Sequence, residues 1–276
     1  MSLEFQNKEP QTEEIEQKSE NYRRVTPVKP LYSIILVTLL VVVFIFQLFA
    51  NSSPAIIEGV NNSLFLAGFV KQFFTEGQYW RILTGASLHA NLIHLAFNSY
   101  ALYVLGKLIE TLSNRAHLAI VFLLSAIGGG ILSLIFIPDL PSVGASGGIV
   151  GFLGYLTAYG FKRRKLLPDA FLKNMLFNIG FIALFGISLN YFAQSNPETP
   201  LPMVDNYGHL GGLLVGLIYG FLQIPSDLYK DPREVGSITK YLGFAALGIF
   251  ILTCIFSILL LTGIIQIPIP AIFLNG

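Results

Sequence analysis

Ser146, His209, His94 and Asn98 are the side-chain types of an acyl-transfer centre. A serine hydroxyl is a weak nucleophile until a base takes its proton, and histidine is the usual base. The oxyanion that develops on the attacked carbonyl needs donors already in place, which His and Asn side chains and backbone N–H groups supply. These residues lie in three polar interruptions of an apolar chain: Gly144-Ala145-Ser146-Gly147-Gly148, the stretch from Asp205 to Gly212, and the stretch from His89 to Asn98. His94 and Asn98 are four apart, so a helix puts them on one face. A serine at a helix N-terminus has unpaired backbone N–H groups beside it.

The elements that must position them follow from composition. Of 276 residues, 53% are hydrophobic and 12% charged, with a mean hydropathy of +0.65. A soluble domain carries roughly 25% charge, so this chain reads as an all-α polytopic membrane protein. Its net charge of +1 makes no case for a nucleic-acid partner. The single cysteine, Cys254, excludes an intramolecular disulfide and a cysteine-based metal site.

A crossing helix needs about 20 apolar residues. Low-charge windows predict seven: Leu31 to Ala50, Ala90 to Leu112, Ala116 to Ile137, Ser146 to Phe161, Leu172 to Tyr191, Gly208 to Ile224 and Tyr241 to Ile265. The fourth and sixth are short and glycine-rich. Residues 1–29, with six Glu and five Lys or Arg, read as a disordered tail without a cleavable secretory signal. Between the first two spans, Asn51 to Leu88 holds Phe65, Leu66, Phe69, Val70, Phe73 and Phe74, a pattern expected of an interfacial amphipathic piece.

Fifteen of the 17 basic residues fall in the tail and in three loops that seven spans place on one side. Only Lys71 and Arg81 remain on the other. The positive-inside bias makes the N-terminus cytoplasmic and the C-terminus external. Ser146, His209, His94 and Asn98 then all open spans entered from outside, at similar shallow depth. Gly208, Gly212, Gly216 and Gly220 recur every fourth residue on the sixth span, as Gly147 and Gly151 do on the fourth. Small residues at that spacing let helices approach closely in lipid.

Plainer roles compete with the chemical ones. Gly-x-Ser-x-Gly also fits an α/β-hydrolase elbow, but that motif needs a strand and a soluble sheet. Asp205 could orient His209 as a triad member; capping the sixth helix is the simpler role. His117 falls at the basic end of the third span and is expected at the interface. Trp80 and Arg81 suit an interfacial anchor pair. There is no His-Glu-x-x-His motif and no carboxylate beside the outer-leaflet histidines, so no metal or other cofactor is expected. The spans lack paired aspartates and, away from their ends, the acidic groups usual in proton-coupled transporters.

The motifs together resemble the rhomboid intramembrane serine proteases. Gly144-Ala145-Ser146-Gly147 is similar to the family's Gly-x-Ser-Gly, His209 with Gly211-Gly212 to its base motif, and His89, His94 and Asn98 to its His-x4-His-x3-Asn pattern. Tyr79-Trp80-Arg81 resembles the Trp-Arg motif of the first external loop, and Gly106 with Glu110 the Gly-x-x-x-Glu of the second helix. The resemblance implies a six-helix core over residues 30–225, followed by a cytoplasmic loop and a seventh helix over 226–276. It implies a serine endopeptidase that cuts transmembrane segments of other proteins near their external end. Ser146 would be nucleophile and His209 base, with His94, Asn98 and the Ser146 N–H as oxyanion hole, and His89, Gly144, Trp80 and Arg81 as support. The expected setting is the lipid bilayer of a plasma or inner membrane, and no oligomeric state is implied. The alternative classes are a catalytically silent client-binding relative and a transporter.

Overall fold

A computed structural model describes residues 28–52, 62–196 and 203–267. Most of the expected tail lies outside the described residues. Ten helices are present among them: α1 (Leu31–Ser52), α2 (Asn62–Ala67), α3 (Lys71–Thr75), α4 (Arg81–Ser87), α5 (Leu92–Leu112), α6 (Arg115–Phe136), α7 (Ser146–Lys162), α8 (Ala170–Ser195), α9 (Asn206–Gln223) and α10 (Ser237–Leu261). All seven expected spans appear as helices whose ends fall within four residues of the expected ones. Five of them, α1, α5, α6, α8 and α10, are long and apolar enough to cross a membrane by length and composition. The 17-residue α7 and 18-residue α9 are not among those five. Both are short, and both give many positions to glycine.

The connection from α1 to α5 is more built than an interfacial piece. Its described part breaks into α2, α3 and α4, which fold onto the protein and bury Ala67, Phe69, Lys71, Phe73 and Arg81. Phe73 meets Phe65 edge to face at 5.2 Å, and Phe69 pairs with Ser142 in the isolated bridge.

Side-chain caps fix where the helices begin. Asn91 accepts the His94 N–H at 2.8 Å, Asn114 that of Ala116 at 2.9 Å and Asp205 that of Gly208 at 2.7 Å. Each satisfies one of the orphan donors of a first turn. At α1 the cap comes from another helix. The buried Glu110 carboxylate of α5 accepts the Ser33 N–H at 2.9 Å, the Ser33 hydroxyl at 2.7 Å and the Tyr32 N–H at 3.3 Å. Gly106, one turn earlier, leaves room for the Ser33 hydroxyl.

Helix α7 is the centre of the bundle. Phe152, Tyr155, Leu156, Ala158 and Tyr159 are fully buried, as expected of a helix surrounded on all sides. It touches α9 along a glycine seam. A Cβ on Gly212 would run into the Gly147 carbonyl, standing 2.8 Å from its carbon; one on Gly216 would stand 2.8 Å from the Gly151 Cα. Against α6, a Cβ on Gly211 would lie 2.9 Å from the Gly129 Cα. The fourfold glycine spacing thus brings α7, α9 and α6 into backbone contact. Helix α8 sits at the rim, with only Met175 and Gly186 buried, while α10 packs on α6 at Gly243 and Ala116.

Candidate active site

Ser146 is the first residue of α7, and no side chain caps that helix, whose N-cap is Ala145. The N–H groups of its first turn are therefore left facing the site. The chain enters through Gly144, whose φ of +127° is a backbone conformation that L side chains rarely adopt. Its N–H donates to the Gly85 carbonyl of α4 at 2.9 Å. A Cβ there would stand 2.7 Å from His94 Cε1, 2.9 Å from His94 Nε2 and 3.5 Å from Asn98 Nδ2. Glycine at 144 thus permits both the turn and the approach of the two α5 side chains to the loop that delivers Ser146. The Asn98 amide nitrogen is buried with no hydrogen-bond partner among the described residues.

His209 lies in the first turn of α9, its backbone N–H bonded to the Asp205 carbonyl at 3.0 Å. Ser146 and His209 line one cavity of about 50 Å³, shared with Ser142, Gly144, Asp205 and Gly208; His94 and Asn98 are not in its lining and approach it only through Gly144. That volume holds one or a few waters, at about 10–15 Å³ each. Among the described residues no hydrogen bond joins Ser146 to His209, and His209 Nδ1 is buried without a partner. Catalytic hydrogen bonds are often long in unliganded enzymes and tighten with substrate.

Asp205 makes no hydrogen bond to the His209 imidazole among the described residues; it caps α9, as the simpler reading expected. One oxygen takes the Gly208 N–H, and the other accepts from the Ser142 hydroxyl at 2.7 Å and from the Ser133 hydroxyl. His89 is fully buried and does not reach the cavity. Gln47 of α1 pairs with its backbone, donating to the carbonyl at 2.5 Å and accepting the N–H at 3.0 Å. Its ring stands edge-on to His94 with centroids 5.1 Å apart, so it braces that imidazole.

Trp80 and Arg81 belong to the α2–α4 connection rather than to the cavity. Arg81 is buried, donating to the Gly68 carbonyl at 2.8 Å and to Gln78 at 2.7 Å, with its guanidinium 4.5 Å from the Phe73 ring centroid. Trp80 meets Phe256 of α10 edge to face at 5.2 Å. His117, expected at the interface, is instead buried between helices and bonded to the Tyr219 hydroxyl at 2.9 Å. Tyr155 and Tyr219 give it a polar pocket that its position near the basic loops did not announce.

Sequence reasoning missed Lys71, Ser142, Ser133 and Gln47. Lys71 was the detectable one, since it and Arg81 are the two basic residues outside the basic loops. Both turn out to be buried, each spending its charge inside the protein. Among the described residues no three His, Cys, Asp or Glu side chains gather as a metal site would require.

Comparison with known proteins fits this architecture. Residues 76–226 match the model of the Rhomboid domain. The rhomboid protease GluP of Bacillus subtilis (strain 168) is 34% identical over 191 residues, which are 68% of this chain and 34% of that protein. Two Arabidopsis thaliana proteins are 32% identical: RHOMBOID-like protein 6, mitochondrial, over 59% of this chain and 50% of its own length, and RHOMBOID-like protein 2, over 56% and 45%. The chain thus spans between a third and a half of the length of these relatives. The matched segment contains Trp80, His94, Asn98, Ser146 and His209, and over half of the sequence; the chain belongs to the rhomboid family.

Proposed function

We propose that the protein is an intramembrane serine endopeptidase that hydrolyses transmembrane segments of other proteins with a Ser146–His209 dyad. The observation that supports this reading is a small cavity lined by both Ser146 and His209 at the start of two helices in backbone contact. His209 takes the Ser146 proton as Oγ attacks the scissile carbonyl carbon, and then passes it to the leaving amine. Water, activated by the same imidazole, releases the acyl-enzyme. The oxyanion is met by the Ser146 N–H, His94 and Asn98, whose amide donor has no partner among the described residues.

In this reading α7 and α9 are short spans, completing a six-helix core with α10 as the seventh. At 1.5 Å per residue a 17-residue helix covers about 25 Å, less than the roughly 30 Å hydrocarbon core. Its N-terminus therefore lies below the membrane surface, where the small cavity beside Ser146 can hold the hydrolytic water and meet one unwound peptide bond of a client segment. The positive-inside bias makes that face external and the N-terminus cytoplasmic.

The competing reading, a client-binding protein without activity, draws on the lack of a Ser146–His209 hydrogen bond. A fluorophosphonate probe on the detergent-solubilised chain separates the two. Labelling that disappears in Ser146→Ala, together with loss of cleavage of a single-span reporter, is the expected result. No labelling of the folded wild-type protein would overturn the enzyme reading.

A further inference from the structure

Ser142 lies four residues before Ser146, and Asp205 lies four residues before His209. The Ser142 hydroxyl donates to Asp205 Oδ2 at 2.7 Å, so one hydrogen bond joins the two approaches to the dyad. Both residues line the cavity that Ser146 and His209 share. Behind Ser142 stands Lys71 of α3, whose ammonium donates to the Ser142 hydroxyl at 3.0 Å, to the Ile137 carbonyl at 3.1 Å and to the Leu140 carbonyl. Those three contacts use all three of its N–H donors. The backbone repeats the connection: Phe69 and Ser142 exchange N–H to carbonyl bonds at 3.1 Å in both directions.

This is more than capping requires. An N-cap needs one acceptor, and a neutral Asn or Ser would serve as well as Asp. Asp205 uses its first oxygen on Gly208, the residue before His209, and its second on two hydroxyls. Lys71 is 1% exposed and thus carries a buried charge, where an apolar side chain of similar volume is often as stabilising. The Ile137 and Leu140 carbonyls alone would explain a lysine at the end of α6; they do not explain the hydroxyl and carboxylate beyond it.

We propose that Lys71, Ser142 and Asp205 form a buried positioning linkage, through which the α2–α4 connection sets the distance between Ser146 and the first turn of α9 that carries His209. This rests on the dyad reading and deepens it. None of the three touches the reacting atoms in this assignment. Lys71 holds Ser142 and thereby the loop leading to Ser146. Ser142 holds Asp205, and Asp205 holds the Gly208 N–H and thereby His209. Ser142 and Asp205 line the cavity with side-chain oxygens already engaged with each other, Lys71 and the start of α9, so the linkage governs turnover rather than capture.

The test uses the full chain reconstituted in liposomes with a single-span reporter, measuring kcat and KM separately. Lys71→Met and Asp205→Asn should each lower kcat at least 10-fold and leave KM within about twofold. Asparagine can still cap Gly208, so loss of the cap is not what this variant reports. The double variant should be little worse than the weaker single, because two residues in one chain of contacts do not act independently. Lys71→Arg, which keeps the charge and its donors, should recover most of the lost turnover. Ser142→Ala removes one hydroxyl and guards against a folding failure at position 71; it should lower kcat with an unchanged melting temperature. Wild-type kcat in these variants, fully multiplicative losses, or a raised KM at constant kcat would each overturn the linkage. Ser146→Ala is run beside them. If it still cuts, the dyad reading falls; if it is inert while the linkage variants are fully active, only the linkage falls.

Discussion

The Gly212 Cα faces the Gly147 carbonyl with no room between them for a methyl group. His209 is three residues before Gly212 and Ser146 is one residue before Gly147, so this contact sets the separation of Ser146 and His209, the proposed dyad, at the level of the backbone. Backbone cannot move aside as a flexible side chain can. Gly212→Leu should therefore separate α7 from α9 and cut turnover by about 100-fold, the scale expected of a small misplacement of reacting groups. Gly212→Ala should already be impaired. Gly180→Ala on the rim helix α8, where a Cβ meets nothing within 4 Å, should be neutral. Reporter cleavage by the three variants, compared at equal protein folded by melting temperature, checks the ordering.

His94 and Asn98 reach the Ser146 loop only because Gly144 has no side chain. His94→Ala or Asn98→Ala should lower kcat more than KM, since a donor to the oxyanion acts on charge present only in the transition state. Removing one such donor costs about 2.7–4 kcal/mol in well-studied hydrolases, and the remaining donors set the lower bound. Steady-state kinetics on both variants decide it. Gly144→Ala should be worse than either, because it strains the turn and pushes against both side chains at once.

The spans and the main site motifs were readable because each leaves a local mark: low-charge apolar windows, a four-residue glycine period, and histidines at helix openings. The network around Asp205 leaves no such mark. Ser142 and Ser133 are ordinary serines until α6, the loop to Ser146 and α9 converge, and that convergence belongs to tertiary structure. The α1–α5 connection was read as interfacial because its phenylalanines suit a lipid surface, whereas Phe73 is buried against Phe65 and the Arg81 guanidinium. A periodicity argument does not distinguish burial in protein from burial in lipid. His117 shows the same effect from the other side, since its Tyr219 partner is 102 residues away.

Glu110 gives a stability prediction independent of catalysis. It accepts three donors from the start of α1, a charged acceptor at a helix N-terminus. Glu110→Ala leaves the Ser33 N–H and hydroxyl buried without that acceptor, at about 1–3 kcal/mol for an unsatisfied group. The melting temperature should fall by several degrees, while the rate per folded molecule below the transition stays near wild type. An unchanged melting temperature would show that water or a neighbouring side chain replaces the carboxylate.

Lys71 should make stability depend on pH in an alkaline window. Burial pushes its ammonium down from 10.5 to about 8, against the opposing pull of Asp205. Below about pH 8 the folded and unfolded chains both hold the proton, and the cost of the buried charge is fully present. Between about 8 and 10.5 the unfolded chain holds a proton that the folded chain has released, so stability rises with pH through this group. Its surroundings are the Ile137 and Leu140 carbonyls, Ser142 and, beyond it, Asp205; Arg81 of α4 turns to Gly68 and Gln78, and Glu76 and Asp139 are exposed. Melting curves of wild type and Lys71→Met from pH 7 to 10.5 should diverge above pH 8, with the wild type gaining relative to the variant. Parallel curves would place the titration outside this window.

In the proposed protease reading, where a client is cut follows from where water and the proposed dyad meet. The bilayer centre holds almost no water, and Ser146 and His209 both stand at helix beginnings; in the proposed orientation these are on the face that the basic loops avoid. A scissile carbonyl inside a helix is hydrogen-bonded and covered, so the client must unwind locally before Oγ can reach it. Unwinding is easiest at residues that weaken a helix, with glycine about 1 kcal/mol less favourable than alanine. Cleavage is therefore expected at small residues near the external end of the client's span, and a Gly-to-Leu series across that end should slow it progressively. Mass spectrometry of both fragments from a reporter of known orientation locates the bond. A bond in the cytoplasmic half would overturn the orientation of the chain and the assignment of Ser146 and His209 together.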